Sequence, residues 1–318
     1  MRSSRKQVRA ERAHQFLLNG PIPIKDINDI ILAFNQCFEG ALARILQPHD
    51  TPIRYLATLD DGTLLCGSYN KTVRMDAMVM DGARVVTNNE SSVYSMALLP
   101  DGKFALGSQD SGVSVWDDDV RVCTFAVDDK KVCALVGMSD GNLASGSQNG
   151  AISLWKRDGE CLRTLMGNTH WVMALAALPD GKLASGSLDT TVRVWDTSTG
   201  ACTSTLKGHS YCVSALAVLP DGKLASGSWD KTVRVWDLAS GTCLLTLAAH
   251  NNGVTCLTVL PDGELASGSF DGFVRIWDLR SGQCLTTLAH SAGVQAIAVL
   301  PDKHLAASTT DCTMCLWE

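Results

Sequence analysis

The chain has 318 residues, 46% apolar and 19% charged, with a formal net charge of −6. That balance describes a soluble globular protein with ample material for a core. It argues against general affinity for nucleic acid or an anionic membrane, and no apolar run approaches the roughly 18 residues that span a bilayer.

In chain order, residues 1–20 are polar and basic, with Arg2, Arg5, Lys6, Arg9 and Arg12. Gly20-Pro21-Ile22-Pro23 then breaks any helix. Beyond it, Ile27, Ile30, Ile31, Phe34 and Phe38 recur at helical spacing, with Asp26 placed to cap them. The spacing predicts a helix over 24–38 within an N-terminal extension of residues 1–40. That helix either packs under the following domain or binds a partner helix.

From residue 41 a longer period takes over, the mark of a repeat architecture. Pro-Asp-Gly stands at 100–102, 179–181, 220–222 and 261–263, with looser forms at 60–62, 139–141 and 301–303. After each comes a strand-like run ending at Asp76, Trp116, Trp155, Trp195, Trp236, Trp277 or Trp317, at successive spacings of 40, 39, 40, 41, 41 and 40. Within one unit, Val213, Ala215 and Ala217 alternate along a strand. Pro220-Asp221-Gly222 makes a tight turn, Leu224 to Ser228 a second strand, Trp229-Asp230-Lys231 another turn, and Thr232 to Trp236 a third strand. Short strands with turns every 8–12 residues predict antiparallel sheets that bury their faces only by packing on one another.

These motifs resemble the WD40-repeat family, and the resemblance covers about 41–318. It implies an all-β, seven-bladed β-propeller, with the helical extension of 1–40 in front. The final run at Trp317-Glu318 leaves the last sheet one strand short. Residues 41–47, around Ala41-Leu42-Ala43-Arg44-Ile45-Leu46, are expected to supply that strand and close the ring.

Twelve cysteines invite a disulfide reading. Cys161, Cys202, Cys243 and Cys284 recur every 41 residues, however. Equivalent places on successive units are unsuited to the ~7 Å that a bridge allows. They are expected to be small buried residues in a reducing compartment, which places the chain in the cytoplasm, with the nucleus as a second location.

Two units carry His, Ser, Asp and Trp together: His209, Ser226, Asp230 and Trp236, then His250, Ser267, Asp271 and Trp277. Two copies at a 41-residue spacing argue for a repeated structural brace rather than two active sites. The resemblance implies a hydrogen-bonded chain at these positions. Other units depart from it: Asn168 takes the His place in unit four and Ala307 the Ser place in unit seven, and units one to three lack still more. No unrepeated cluster of acids, histidines or metal ligands and no phosphate-binding glycine loop appears. No catalytic, cofactor or metal residue is therefore assigned.

In the family, the loops entering the inner strands and the turns before the third strands share one face. This implies a rim on which Tyr69, Trp171, Leu188, Tyr211, Trp229 and Phe270 stand at positions that are usually polar. Asp50, Glu90, Asp128 and Asp129, interrupted by Lys130 and Lys131, make units one to three acidic. A partner with an apolar anchor and basic flanks suits such a face.

The function expected is a non-catalytic scaffold or adaptor binding proteins or peptides on units four to six, as a monomer within a larger complex. The alternative is a substrate-receptor subunit of a cullin-type ubiquitin ligase. For that, Trp277-Asp278-Leu279-Arg280 resembles the ending of a WD-x-Arg docking segment, with Arg280 as the distinguishing residue. A propeller enzyme is the reading from another class. Since only units five and six hold the full brace, hydrogen exchange should be slower at 224–236 and 265–277 than at 64–76. Equal rates in the three segments would refute this.

Overall fold

The computed structural model describes residues 42–46, 51–59, 63–68, 72–76, 84–88, 92–110, 112–127 and 131–317. Every regular element among them is a β-strand, and the strands form seven four-stranded antiparallel sheets. We number the sheets by their innermost strands: Ile53–Thr58, Val93–Leu98, Val132–Gly137, Val172–Ala177, Val213–Val218, Val254–Val259 and Val294–Val299. Each innermost strand packs beside its two neighbours, and the seventh meets the first, so the sheets form a closed ring.

Burial follows position in the sheet. In sheet 5 the inner strand alternates buried and half-buried residues, whereas Leu224–Ser228 is buried throughout because neighbouring sheets cover both its faces. The outermost strand of the neighbouring sheet 4, Cys202–Leu206, is largely exposed. Gly222 occupies a left-handed conformation (φ 82°) at the Pro-Asp-Gly turn, which explains that residue choice. Sheet 7 makes the same turn with Lys303 at φ 72°, which a side chain makes less favourable.

The contact between sheets is specific. The first residue of every inner strand, Ile53 or a valine, is 0% exposed. The valine presses against a glycine in the second strand of the preceding sheet. A Cβ on Gly146, Gly186, Gly227 or Gly268 would stand 2.5–2.7 Å from Cγ1 of Val172, Val213, Val254 or Val294. At the last interface Ser308 replaces the glycine, and its hydroxyl donates to the Ile53 carbonyl at 3.0 Å across the ring seam. Ile53, Leu64 and Cys66 share one core with Ala298, Leu300, Ala306, Met314 and Leu316.

Leu42–Leu46 pairs antiparallel with Met314–Trp317, from Leu42 opposite Trp317 to Leu46 opposite Met314. Sheet 7 therefore combines the first described strand with the last three.

Two expectations need correction. The helical extension is not part of the observed architecture: no helix occurs among the described residues, and 24–38 lies outside them. The recurring cysteines are not buried: Cys161, Cys202 and Cys284 are exposed and Cys243 is half-buried. They sit on outermost strands, where only the inward-facing residues are covered.

Gly227→Ala should destabilise by about 1–3 kcal/mol through overpacking against Val254. Gly67→Ala should be close to neutral, because its nearest neighbours lie at 3.6 and 3.7 Å. Denaturant unfolding of both variants checks this, and equal midpoints would contradict it.

Candidate functional site

The direction of each strand decides which loops share a face. Inner strands run from the loops holding Trp171, Tyr211 and Asn251 to the Pro-Asp-Gly turns. The second strands return to the turns holding Leu188, Trp229 and Phe270. Backbone bonds join the two sets: Leu188 N–H donates to Trp171 O at 2.9 Å, Trp229 to Cys212 O at 2.9 Å, and Phe270 to Gly253 O at 3.0 Å. Trp171, Leu188, Tyr211, Trp229 and Phe270 thus lie on one face, while Arg280 lies on the other beside the Pro-Asp-Gly turns.

All seven inner strands contain a β-bulge between their first and third residues. A bulge takes one residue out of the ladder and re-aims its side chain. The residues so placed are Arg54, Tyr94, Cys133, Met173, Ser214, Thr255 and Gln295. Five of them, Arg54, Met173, Ser214, Thr255 and Gln295, line a cavity of about 70 Å³ together with Tyr55, Trp229 and Phe270. This cavity is the mouth of the central channel.

Gly253 and Gly293 let the aromatic side chains cross towards it. A Cβ on either would lie 3.1 Å from the Cα of Trp229 or Phe270. Tyr211 extends the surface outwards, its ring 6.0 Å from that of Trp229. It is 54% exposed and Phe270 36%. Trp171 and Leu188 are half-buried, and Tyr69 lies outside the described residues. The Lys131 ammonium sits 4.0 Å from the Tyr94 ring centre and 5.8 Å from that of Trp171.

The polar sets hold the turns that carry these side chains. In sheet 5, His209 Nδ1 meets Asp230 at 2.8 Å and Nε2 meets Ser226 Oγ at 2.7 Å, while Trp236 Nε1–H donates to Ser226 at 2.7 Å. Asp230 also accepts from the Ser210 and Thr232 backbone N–H groups. Sheet 6 repeats this with His250, Ser267, Asp271 and Trp277, and Arg275 adds a 3.0 Å bond to Asp271. Burial pushes both aspartates up, but hydrogen bonds from the histidines and backbone N–H groups outweigh it, so both carboxyls lie far below their usual range. Ser226 and Ser267 are 0% exposed, so neither hydroxyl meets solvent.

Departures from the set change the wiring. In sheet 4, Ser185 donates to Asn168 at 3.3 Å. In sheet 7, with Ala307 in the serine place, Trp317 Nε1–H donates directly to His290 Nε2 at 3.0 Å. The ring centres draw in to 5.3 Å, against 6.2 Å in sheet 5. Asp311 then accepts from Ser291, Thr309 and Thr313 instead, and His290 Nδ1 is left buried without a partner.

The model of the WD domain, G-beta repeat, matches residues 40–75, 83–117, 159–196, 200–237, 241–278 and 282–318. The chain belongs to the WD40 family. Its fold is similar to the crystal structure of the WD40 β-propeller domain of Doa1, with a TM-score of 0.81 and 22% identity over 88% of this chain and 97% of that one. No curated protein matches the chain by sequence.

The expectation of seven WD40 repeats is corrected by this match, which recognises six. The unmatched 118–158 segment nevertheless supplies three strands of sheet 3. Its residues differ from those of sheets 4 to 6. Lys156 follows Trp155 where sheets 4 to 6 have Asp196, Asp237 and Asp278, each of which accepts a backbone N–H two residues on. Asn149 replaces the turn aspartate and makes only the bond to Ala151 N.

The bulge residues were missed by sequence reasoning, although a signal existed. In units whose neighbours repeat as Leu-Ala-Ser-Gly-Ser, the residue after the first inner valine or isoleucine never settles on one type.

Burial holds His290 down at about 4 and lowers His250 as well, against an ordinary value of 6.5. Both are neutral in the fold and are protonated more readily once unfolded. The contribution of His290 is complete above about pH 6.5 and is lost as pH falls towards 4, and that of His250 is also lost as pH falls below 6.5; that of Asp230 and Asp271 is lost only below the ordinary carboxylate range. The urea midpoint should drop between pH 6.5 and 4, and drop less in His290→Gln, whose amide oxygen still accepts from Trp317. An unchanged slope in that variant would refute the assignment.

Proposed function

We propose that this WD40 protein is a non-catalytic interaction scaffold, an adaptor whose protein or peptide partner binds the face over sheets 4 to 6. The supporting observation is one continuous aromatic surface. Trp229 and Phe270 line the channel mouth, and Tyr211 stands exposed beside Trp229. Rigid aromatic side chains at turn positions are typical interface anchors. The braces keep those turns in place without forming chemistry of their own, which favours binding over catalysis. The acidic residues Asp50, Glu90, Asp128 and Asp129 lie outside the described residues. On this reading they meet basic flanks of the partner.

A second reading, the substrate receptor of a cullin-type ubiquitin ligase, draws support from Arg280. It is exposed on the opposite face, in a notch with Pro220, Asp221, Asp262 and Glu264. An adaptor contact there would not compete with a partner on the aromatic face.

Affinity purification with the wild type and with a W171A/W229A/F270A variant tests the proposal. The partners recovered with the wild type should be reduced at least about tenfold with the variant, while its thermal unfolding stays cooperative. Recovery of the same proteins with both would place the interface elsewhere.

A further inference from the structure

The chain has eight tryptophans, and their indole N–H groups divide into two sets. Six belong to the sheets and are engaged. Trp116, Trp155, Trp195, Trp236 and Trp277 each donate to a serine hydroxyl, and Trp317 donates to His290, at 2.7–3.0 Å. The other two, Trp171 and Trp229, stand half-buried on the loop face of sheets 4 and 5. No described residue accepts from either indole. An indole N–H can only donate, and it needs an acceptor once it is covered. The Tyr211 hydroxyl, on the ring beside Trp229, is likewise without a partner among the described residues.

The acceptors around these rings are already in use. The carbonyls of Trp171, Cys212 and Gly253 accept from the turn N–H groups of Leu188, Trp229 and Phe270. Those of His170, Tyr211 and Asn252 accept from the hydroxyls of Ser187, Ser228 and Ser269. The carboxylates of Asp189, Asp230 and Asp271 accept from the loop N–H groups of Thr169, Ser210 and Asn251. All of these residues lie within 131–317, which is described without a break. Beside the aromatic rings, the indole groups left free are donors, and their partial charge is positive.

A ligand complementary to such a surface carries negative partial charge on an apolar body and few donors of its own. A proline-rich segment in the polyproline II conformation has these properties. Its rings are apolar, proline has no N–H, and its carbonyls make no internal hydrogen bonds. An extended strand brings an N–H with every residue, and a helix keeps its carbonyls for itself. From the free indole donors of Trp171 and Trp229, set among the rings of Tyr211 and Phe270, we infer that the loop face of sheets 4 to 6 binds a proline-rich segment of the partner. Its prolines seat on the four rings, and the carbonyls between them accept from the two indoles. The inference rests on the binding face proposed above and narrows its partner.

The test is selection of a random peptide library, displayed on phage, against the full chain, followed by titration of synthetic copies of the selected peptides. Prolines spaced three apart, the repeat of polyproline II, should be enriched. W171F/W229F keeps an aromatic ring at both places and removes both donors, and it should bind these peptides at least about fivefold more weakly than the wild type. In the proton–nitrogen correlation spectrum, the two indole signals that W171F and W229F identify should shift on adding peptide, while the six of the sheets stay in place. Thermal unfolding of each variant separates lost binding from lost fold. Proline-rich peptides that bind W171F/W229F as tightly as the wild type, or that leave both indole signals unmoved, would overturn the inference. Selected peptides without proline that still fail on W171A/W229A/F270A would overturn it too, and would leave the aromatic face standing. Peptides that bind W171A/W229A/F270A as well as the wild type would overturn both. A selection that yields no peptide would overturn the inference and leave the face to be decided by affinity purification.

Discussion

The contact on which the ring depends is a valine methyl pressed against a glycine backbone. Each inner strand begins with a fully buried branched residue, and at most interfaces that residue fills the space left by a missing Cβ in the preceding sheet. A sheet covered on one face alone would leave much of its apolar surface in water. Burying one such side chain contributes about 1.5–3 kcal/mol, and every sheet has an interface on each side, with Ser308 in the glycine's place at the seam and ordinary spacing at Gly67. Spacing and stability therefore arise together. At Gly146, Gly186, Gly227 and Gly268 the approach is so close that neither residue tolerates much change in volume.

On that frame the polar braces act locally. They tie the loop ahead of each inner strand to the turn after the second strand, which is where Tyr211, Trp229 and Phe270 reside. A buried network of this kind is worth having only when its members are satisfied. Sheets 5 and 6 meet that condition, and the aromatic side chains most accessible to a partner are found on the same two sheets. Sheet 7 shows the outcome of losing one hydroxyl: the tryptophan and histidine close up, and a ring nitrogen is stranded. The repeated residues thus set the scaffold, while departures from the repeat redistribute charge, aromatic surface and hydrogen bonds around it.

Much of this was legible in the sequence because repetition multiplies weak signals. One Pro-Asp-Gly means little, but recurrence with Trp at 39–41 residues locates strands and turns throughout. The strand at Leu42–Leu46 was legible as well, since it had no unit of its own. Other features were hidden for physical reasons. Strict alternation places the residue after Val213 in the sheet ladder, whereas the bulge turns Ser214, like Arg54 and Met173, towards the channel. Cys202 and Cys284 repeat faithfully yet are exposed, because a repeat fixes a residue's place and not its depth. The 118–158 segment has the spacing of a WD40 unit and supplies three strands of sheet 3, although the family model does not match it.

The central claim is that the ring is closed by one strand from near the start of the chain, Leu42–Leu46, on Met314–Trp317. Deleting 41–47 and following thermal unfolding together with oligomeric state tests it most directly. An unpaired edge on sheet 7 should either unfold the protein at lower temperature or drive it to pair with a second copy. A monomer that keeps the full stability of the intact chain would contradict the account.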